Sequence, residues 1–403
     1  MRKIGQGHSK PGQVPLRRAA QHGRMNTPAA LRLARVYFEK WAKVAVFGAV
    51  LSCAAPCCAA AETPDRAPVG LMSLGLQDPA RRNWEDTAPR PLQTTLWYPA
   101  AAGTPQQPWR VAIFDAGSNA PGAPLAATPP RWPLVLLSHG TGGSAVAMAW
   151  LGQALAAQGY LVAAVNHHGN TAAENTLRPE GFMVWWQRAQ DLRVVLGGLL
   201  ADPLFGPRID AARVGVAGFS IGGQTALALV GARVDPARYS AACASQAPTA
   251  ACSPPPEART TSAALRALVE GSPRLQAELA RMDENVADNR VKAAFAIAPA
   301  LAGLFSDASL AAVQVPVQMV TGSNDDQVAP ASTRAAAAAM PQASAQILPG
   351  VTHHAFITTC TAEGQRLALP ICVNPPRLDR LALHRQVAAQ AVAFFNRTLP
   401  PPP

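Results

Sequence analysis

The feature that most constrains this chain is the pentapeptide Gly218-Phe219-Ser220-Ile221-Gly222, lying between a continuous apolar run, Val214–Ala217, and a helical pattern that begins at Ile221. A short apolar run bounded by turn residues reads as a strand buried on both faces. A strand that turns into a helix across a single serine forces that serine onto a sharp bend with its hydroxyl projecting. The glycines are then steric requirements, because side chains at 218 and 222 would strike the neighbouring strand and helix. The same pattern of short apolar run followed by helix recurs on both sides of this point. Leu134–Leu137 precedes a helical stretch from Ala145 to Gln158, and Tyr160–Val165 precedes one from Trp185 to Leu200, with Arg188 and Asp191 on one side. Later, Lys292–Ala298, Val315–Thr321 and Ala345–Leu348 read as strands, with helices at Ser332–Met340 and Leu381–Arg397. Strands alternating with helices predict an α/β fold with a mainly parallel sheet, opened by an antiparallel portion within residues 62–130.

Residues 233–288 interrupt the alternation. They hold Pro254-Pro255-Pro256, two cysteines and an amphipathic pattern over Ala263–Met282. A segment of that length is too long for an ordinary connection and is expected to form a helical cap over a site. The domain expected to carry the chemistry spans 62–403, ending in a Pro-rich tail at 399–403.

A serine hydroxyl becomes a nucleophile only beside a base that is itself oriented by an acid. On a strand–turn–helix serine the chain order is serine, acid, histidine. The loop after Val315–Thr321 contains Asp325 and Asp326, and adjacent side chains in an extended loop point opposite ways, so one of the two is expected to reach the histidine. The loop after Ala345–Leu348 contains His353 and His354, of which His353 is the expected base. Two backbone donors are expected for a developing oxyanion: the N–H of Ile221, at the start of its helix, and that of Thr141, in Ser138-His139-Gly140-Thr141-Gly142-Gly143. His139 is expected to serve as a structural hydrogen-bonding residue. His167-His168 and His353-His354 are adjacent pairs, which is poor metal-ligand spacing, and no phosphate loop or dinucleotide fingerprint is present. No metal and no cofactor are therefore expected.

The formal charge of +11 is misleading about partners. Residues 1–61 carry ten Lys/Arg and one acid, which leaves twenty-five basic against twenty-three acidic residues in the rest. A basic segment ending at Lys43, the apolar run Val44–Leu51 and Ala59-Ala60-Ala61 have the order of a signal peptide. An exported, periplasmic or secreted protein is expected, with Met25 as an alternative start. Lipidation at Cys53 and a retained anchor are the competing readings of the same segment. Nucleic acid is not an expected partner, and no stable membrane span is expected. Cys243, Cys252, Cys360 and Cys372 then remain, an even number in an exported chain. Pairing of sequence neighbours, Cys243–Cys252 and Cys360–Cys372, is favoured over the two other connectivities.

Pro133–Gly143, Trp150-Leu151-Gly152, Gln158-Gly159-Tyr160, His168-Gly169-Asn170-Thr171, Val214–Ala228 and Cys360–Arg380 together resemble the bacterial predicted dienelactone hydrolases related to platelet-activating factor acetylhydrolase, across most of residues 90–397. The resemblance implies an α/β-hydrolase fold, Ser220 and His353 as nucleophile and base, and Thr141 as an oxyanion donor. Cutinase-type polyester hydrolases are a second resemblance. Their acid motif is similar to Asp326-Gln327-Val328-Ala329-Pro330, which implies Asp326 as the acid. True dienelactone hydrolases use cysteine where this chain has Ser220, and related enzymes commonly have His where it has Phe219. The expected activity is hydrolysis of short-acyl carboxylic esters, including a phospholipid-like acetyl ester, with a small-molecule or lipid ester as substrate. A polyester hydrolase, a peptidase or amidase on the same triad, and a non-catalytic binding protein are the alternatives.

Overall fold

The computed structural model describes residues 67–244 and 253–400. The expected presequence with Met25 and Cys53 lies outside the described residues, as do Cys252, and with it the Cys243–Cys252 pairing, and the last three prolines.

Among the described residues ten strands form one sheet: β1 (Val69–Arg82), β2 (Pro89–Pro99), β3 (Gln107–Val111), β4 (Phe114–Pro121), β5 (Trp132–Ser138), β6 (Leu161–Val165), β7 (Ile209–Phe219), β8 (Val291–Ile297), β9 (Val317–Gly322) and β10 (Ala343–Leu348), in the order β10-β9-β8-β7-β5-β6-β2-β1-β4-β3. The six strands from β6 to β10 along that order, through β5 and β7, are parallel. The β1–β2 hairpin adds antiparallel edges, β2 pairing with β6. The helices of the alternation are α1 (Ala149–Ala156), α2 (Gln187–Ala201), α3 (Ile221–Leu229), α4 (Pro236–Ala244), α5 (Ser262–Glu270), α6 (Pro273–Leu279), α7 (Pro330–Ala338) and α8 (Arg380–Thr398). This is the α/β-hydrolase fold.

Every residue of β5 and β6 is buried, as a parallel strand covered on both faces must be. Because side chains alternate along a strand, Leu134 and Leu136 join one core with α2 and α3, while Val135 and Leu137 join the other with α1 and α8. The expected helix over Ala145–Gln158 starts as a 3-10 turn at Ala145–Met148 before α1, and the chain then leaves through Gly159 at φ +91°, a conformation glycine adopts without strain.

Among the described residues of the 233–288 insertion helices are present, but the central pattern forms two of them and not one. The break falls at Gly271-Ser272-Pro273. The Ser272 hydroxyl accepts the Leu275 N–H at 3.3 Å, and Pro273 occupies the first turn of α6, where its missing N–H costs nothing. Leu275 is buried in the first core, and Leu268, Leu279 and Met282 pack against it. The insertion is thus anchored to the body of the domain by apolar contacts.

At the other end, Asp379 caps α8 by accepting the Ala382 N–H at 3.0 Å. His384 on α8 stacks on Trp150, with ring centroids 4.4 Å apart, and meets the Ala355 carbonyl at 3.0 Å. The segment between β10 and α8 is closed by the expected Cys360–Cys372 disulfide, across a separation of 12 residues. It is also tied to β4 through Asp115 N–H to Thr359 O (2.9 Å) and to the turn just before β4 through Thr361 N–H to Ile113 O (2.8 Å). A loop of this size loses about 2–3 kcal/mol of denatured-state entropy when closed. Replacing both Cys360 and Cys372 by serine should therefore lower the unfolding free energy obtained from urea titration by an amount of that order, and the urea midpoint with it. An unchanged midpoint would show that β4 alone holds the segment.

Candidate active site

Ser220 sits between the end of β7 and the start of α3 with φ 57° and ψ −122°, a backbone conformation that side-chain-bearing residues rarely adopt. Four backbone hydrogen bonds fix it: its N–H donates to Ile297 O (2.9 Å), and its carbonyl accepts from the N–H groups of Gly223 (2.9 Å), Gln224 (3.1 Å) and Ala300 (3.1 Å). A Cβ on Gly218 would stand 2.1 Å from the Gly222 carbonyl oxygen, and one on Gly222 would stand 2.1 Å from that of Ser138. The two glycines are what allow helix and strand to close on the bend.

The Ser220 Oγ is 3.0 Å from His353 Nε2. His353 Nδ1 lies 2.9 and 3.0 Å from the two carboxylate oxygens of Asp325. Both His353 and the Asp325 side chain are shut off from solvent. The carboxylate that reaches the ring is therefore not the expected Asp326, which is exposed, but Asp325. The cause is local. Asp325 Oδ1 accepts the N–H groups of Gln327 (3.0 Å) and Val328 (2.7 Å), which folds its side chain back into the turn and leaves its neighbour facing outward. The likeness of Asp326–Pro330 to the polyester hydrolase motif is out of register by one residue. His354, half-buried, meets the Gln327 amide at 3.0 Å and not the serine. Phe219 packs on the His353 ring at 4.8 Å between centroids.

The loop after β5 borders the serine. A Cβ on Gly140 would come within 3.4 Å of Ser220 Cβ and 3.0 Å of Phe219. Among the described residues, no acceptor meets the N–H of Thr141 or of Ile221, the latter being a first-turn donor that its helix cannot satisfy. From the outer side the insertion reaches this loop. A Cβ on Gly142 (φ +62°) would be 3.0 Å from Glu257 Cγ and 3.8 Å from the Phe182 ring.

Behind the loop lies a buried polar cluster that the sequence reading did not assemble. Asp191 on α2 is fully buried and accepts from Arg90 (2.9 and 3.1 Å), from Arg81 (2.6 Å) and from His167 Nδ1 (2.9 Å). Burial opposes its charge, yet Arg90 and Arg81 hold its carboxyl well below the usual range. Burial and the Arg188 charge push His167 down to about 4 and hold His139 well below its ordinary value, so both rings are neutral at pH 7. Arg188 itself is lowered to about 9 by burial. The placing of Arg188 and Asp191 on one side of a helix was the only signal in the sequence. Among the described residues no group of three or more His, Cys, Asp or Glu is placed to hold a metal ion, and no helix is long and apolar enough to cross a membrane.

The family model for Hydrolase_4, described as Serine aminopeptidase, S33, matches residues 129–358, more than half of the chain. The chain belongs to this hydrolase family. Among solved structures it is similar to a ferulic acid esterase from Streptomyces cinnamoneus, at 23% identity and TM-score 0.56, covering 84% of this chain and 92% of that one. It is also similar to a puromycin-hydrolyzing peptidase of Mycobacterium tuberculosis, at 15% identity and TM-score 0.47, covering 83% and 40%. No curated protein matches. This hydrolase therefore shares its fold with the esterase, and its matched segment runs through Ser220, Asp325 and His353.

Two outcomes follow for this hydrolase. Asp325→Asn should lower kcat by about 10³–10⁴, while Asp326→Asn stays within about threefold of the parent; the reverse ranking in a steady-state assay would return the acid to 326. Stability should also fall with acid before the carboxylates titrate. His167 and His384, pushed by burial to about 4 and about 3, refuse protons that the unfolded chain accepts near 6.5. Their contribution is complete above pH 6.5 and declines below it, by up to about 1.4 kcal/mol per pH unit for each. Melts at pH 7.5, 6.5 and 5.5 should show a falling Tm below 6.5; a flat Tm across this range would contradict neutral burial.

Proposed function

We propose that this protein is a serine carboxylester hydrolase acting on short-acyl esters, with Ser220 as nucleophile, His353 as general base, Asp325 as orienting acid, and the Thr141 and Ile221 N–H groups as oxyanion donors. The observation that carries the reading is the hydrogen-bonded line from Ser220 Oγ through His353 to Asp325. His353 Nε2 takes the hydroxyl proton as Oγ bonds to the ester carbonyl carbon. The carbonyl oxygen becomes an oxyanion beside the two free amides, and its collapse expels the alcohol, protonated by His353. Water, deprotonated by the same ring, then attacks the acyl-serine and releases the acid.

Phe182 and Glu257 crowd the Gly142 side of the loop, which supports small acyl groups over long chains or polymers. The sequence resemblance supports a phospholipid-like acetyl ester of the platelet-activating-factor type as the finer substrate class. The Cys360–Cys372 disulfide and the signal-like order of residues 1–61 support export.

A second reading has its own support. The family description is that of an aminopeptidase, and the exposed Glu257 carboxylate beside the loop would suit a substrate's α-ammonium group. p-Nitrophenyl acetate, butyrate and longer esters, assayed beside aminoacyl p-nitroanilides, separate the two. The ester reading expects kcat/KM to fall with chain length and anilide turnover to be negligible. It also expects Ser220→Ala to lower kcat by about 10³ or more. Anilide turnover with negligible ester turnover would replace it with the aminopeptidase.

A further inference from the structure

The buried cluster on α2 is expensive for a domain that already has two large apolar cores. Arg188 is 2% exposed, and among the described residues no carboxylate lies within ion-pair distance of it. Its hydrogen bonds go to main-chain carbonyls: Nη1 donates to His139 O at 2.6 Å and Nη2 to Asn170 O at 3.4 Å. An apolar side chain there would avoid the desolvation cost of a guanidinium, so what the charge gives must be geometric. Its target is the end of β5, one residue before the loop that borders Ser220.

That loop is pinned on both sides of Thr141. In a trans peptide the C=O and the following N–H point in opposite directions, so whatever holds Gly140 O also aims the Thr141 N–H. Gly140 O accepts from Gly143 N–H at 3.1 Å and meets His139 Nδ1 at 2.7 Å. The other ring nitrogen, His139 Nε2, accepts the His167 N–H at 3.3 Å. A nitrogen that accepts carries no proton, so the neutral ring bears its hydrogen on Nδ1 and donates it to Gly140 O. On the far side of Thr141, the Gly142 N–H donates to Asn170 Oδ1 at 2.6 Å. Asn170 is also the residue whose carbonyl Arg188 holds. His167 completes the frame, with Nδ1 on Asp191 (2.9 Å) and Nε2 accepting the Ser138 hydroxyl (2.9 Å).

We propose that Arg188 and His139 are positioning residues that set the direction of the Thr141 N–H, so that α2 holds the oxyanion donor rigid against the Ser220 elbow. Neither side chain touches substrate. The inference rests on the serine-hydrolase reading above, in which Thr141 N–H stabilises the oxyanion. Misaiming one donor, without removing it, should slow acylation by about tenfold to a hundredfold and leave ground-state binding almost unchanged.

The test uses the full-length protein and three variants, Arg188→Met, His139→Ala and His139→Asn. The last places an amide N–H close to where the ring Nδ1 stood. Three quantities are read: the second-order rate of Ser220 labelling by a fluorophosphonate, followed by intact mass; kcat and KM on p-nitrophenyl acetate; and the inhibition constant of an alkyl trifluoromethyl ketone, whose serine adduct carries an oxyanion. Arg188→Met and His139→Ala should lower the labelling rate and kcat, and weaken the ketone, by about tenfold to a hundredfold, with KM within about twofold of the parent. His139→Asn should recover most of the loss. Variants with native melting that label at the parental rate would overturn the proposal. So would losses that track only the folded fraction, with parental behaviour per folded molecule, or a His139→Asn variant no better than His139→Ala. If Arg188→Met does not fold, the two His139 variants, which remove no formal charge, decide the matter. A wild-type protein unlabelled at Ser220 would instead sink the hydrolase reading, and this inference with it.

Discussion

The site depends on one strained residue. Ser220 holds a positive φ at a cost of about 1–3 kcal/mol because its surroundings leave no alternative. Its N–H is taken by β8, its carbonyl by Gly223 and Ala300, and helix α3 closes against β5 with no side chain at Gly218 or Gly222 to keep them apart. Relaxing the bend would break all of these contacts together. The strain has a use, since the bend leaves the hydroxyl 3.0 Å from His353 Nε2.

The parallel sheet brings the remaining parts to that space. Ser220, Asp325 and His353 follow β7, β9 and β10, and the Thr141 loop follows β5, so all four emerge at the carboxyl ends of the strands. Distances along the chain become irrelevant: the His353–Ser220 contact joins residues 133 apart and the His353–Asp325 contact residues 28 apart. The final helix supports the His353 loop from behind, through the His384 contact with Ala355 and its stacking on Trp150, whose indole N–H in turn donates to Phe356 O at 2.8 Å.

Two different materials surround the elbow. Below it are apolar cores on both faces of the sheet, which give rigidity without direction. Beside it is the charged cluster around Asp191, which gives direction through hydrogen bonds to particular carbonyls. Two arginines, Arg81 and Arg90, offset the buried carboxylate, and the neutral histidines carry the order from Asp191 to the end of β5. The insertion is held by Leu275 in the core, and its Glu257 side chain fills the space a Cβ on Gly142 would need.

Much of this was legible in the chain itself. Runs such as Leu134–Leu137 and Tyr160–Val165 announced strands covered on both faces, and the spacing of helices between them announced a parallel sheet, because hydrophobic periodicity is a local property. The glycines flanking Ser220 and the order serine, acid, histidine were equally local. What the sequence by itself determined was thus the fold class, the serine with its sharp turn, and the loops in which acid and base must lie. Only the tertiary structure decided between Asp325 and Asp326, since the choice turns on which carboxylate closes onto the Gln327 and Val328 amides while facing a ring from another strand. It alone also joined Arg81 and Arg90 to Asp191, more than a hundred residues along the chain, because a charge pattern on one helix does not reveal what a distant hairpin brings to it.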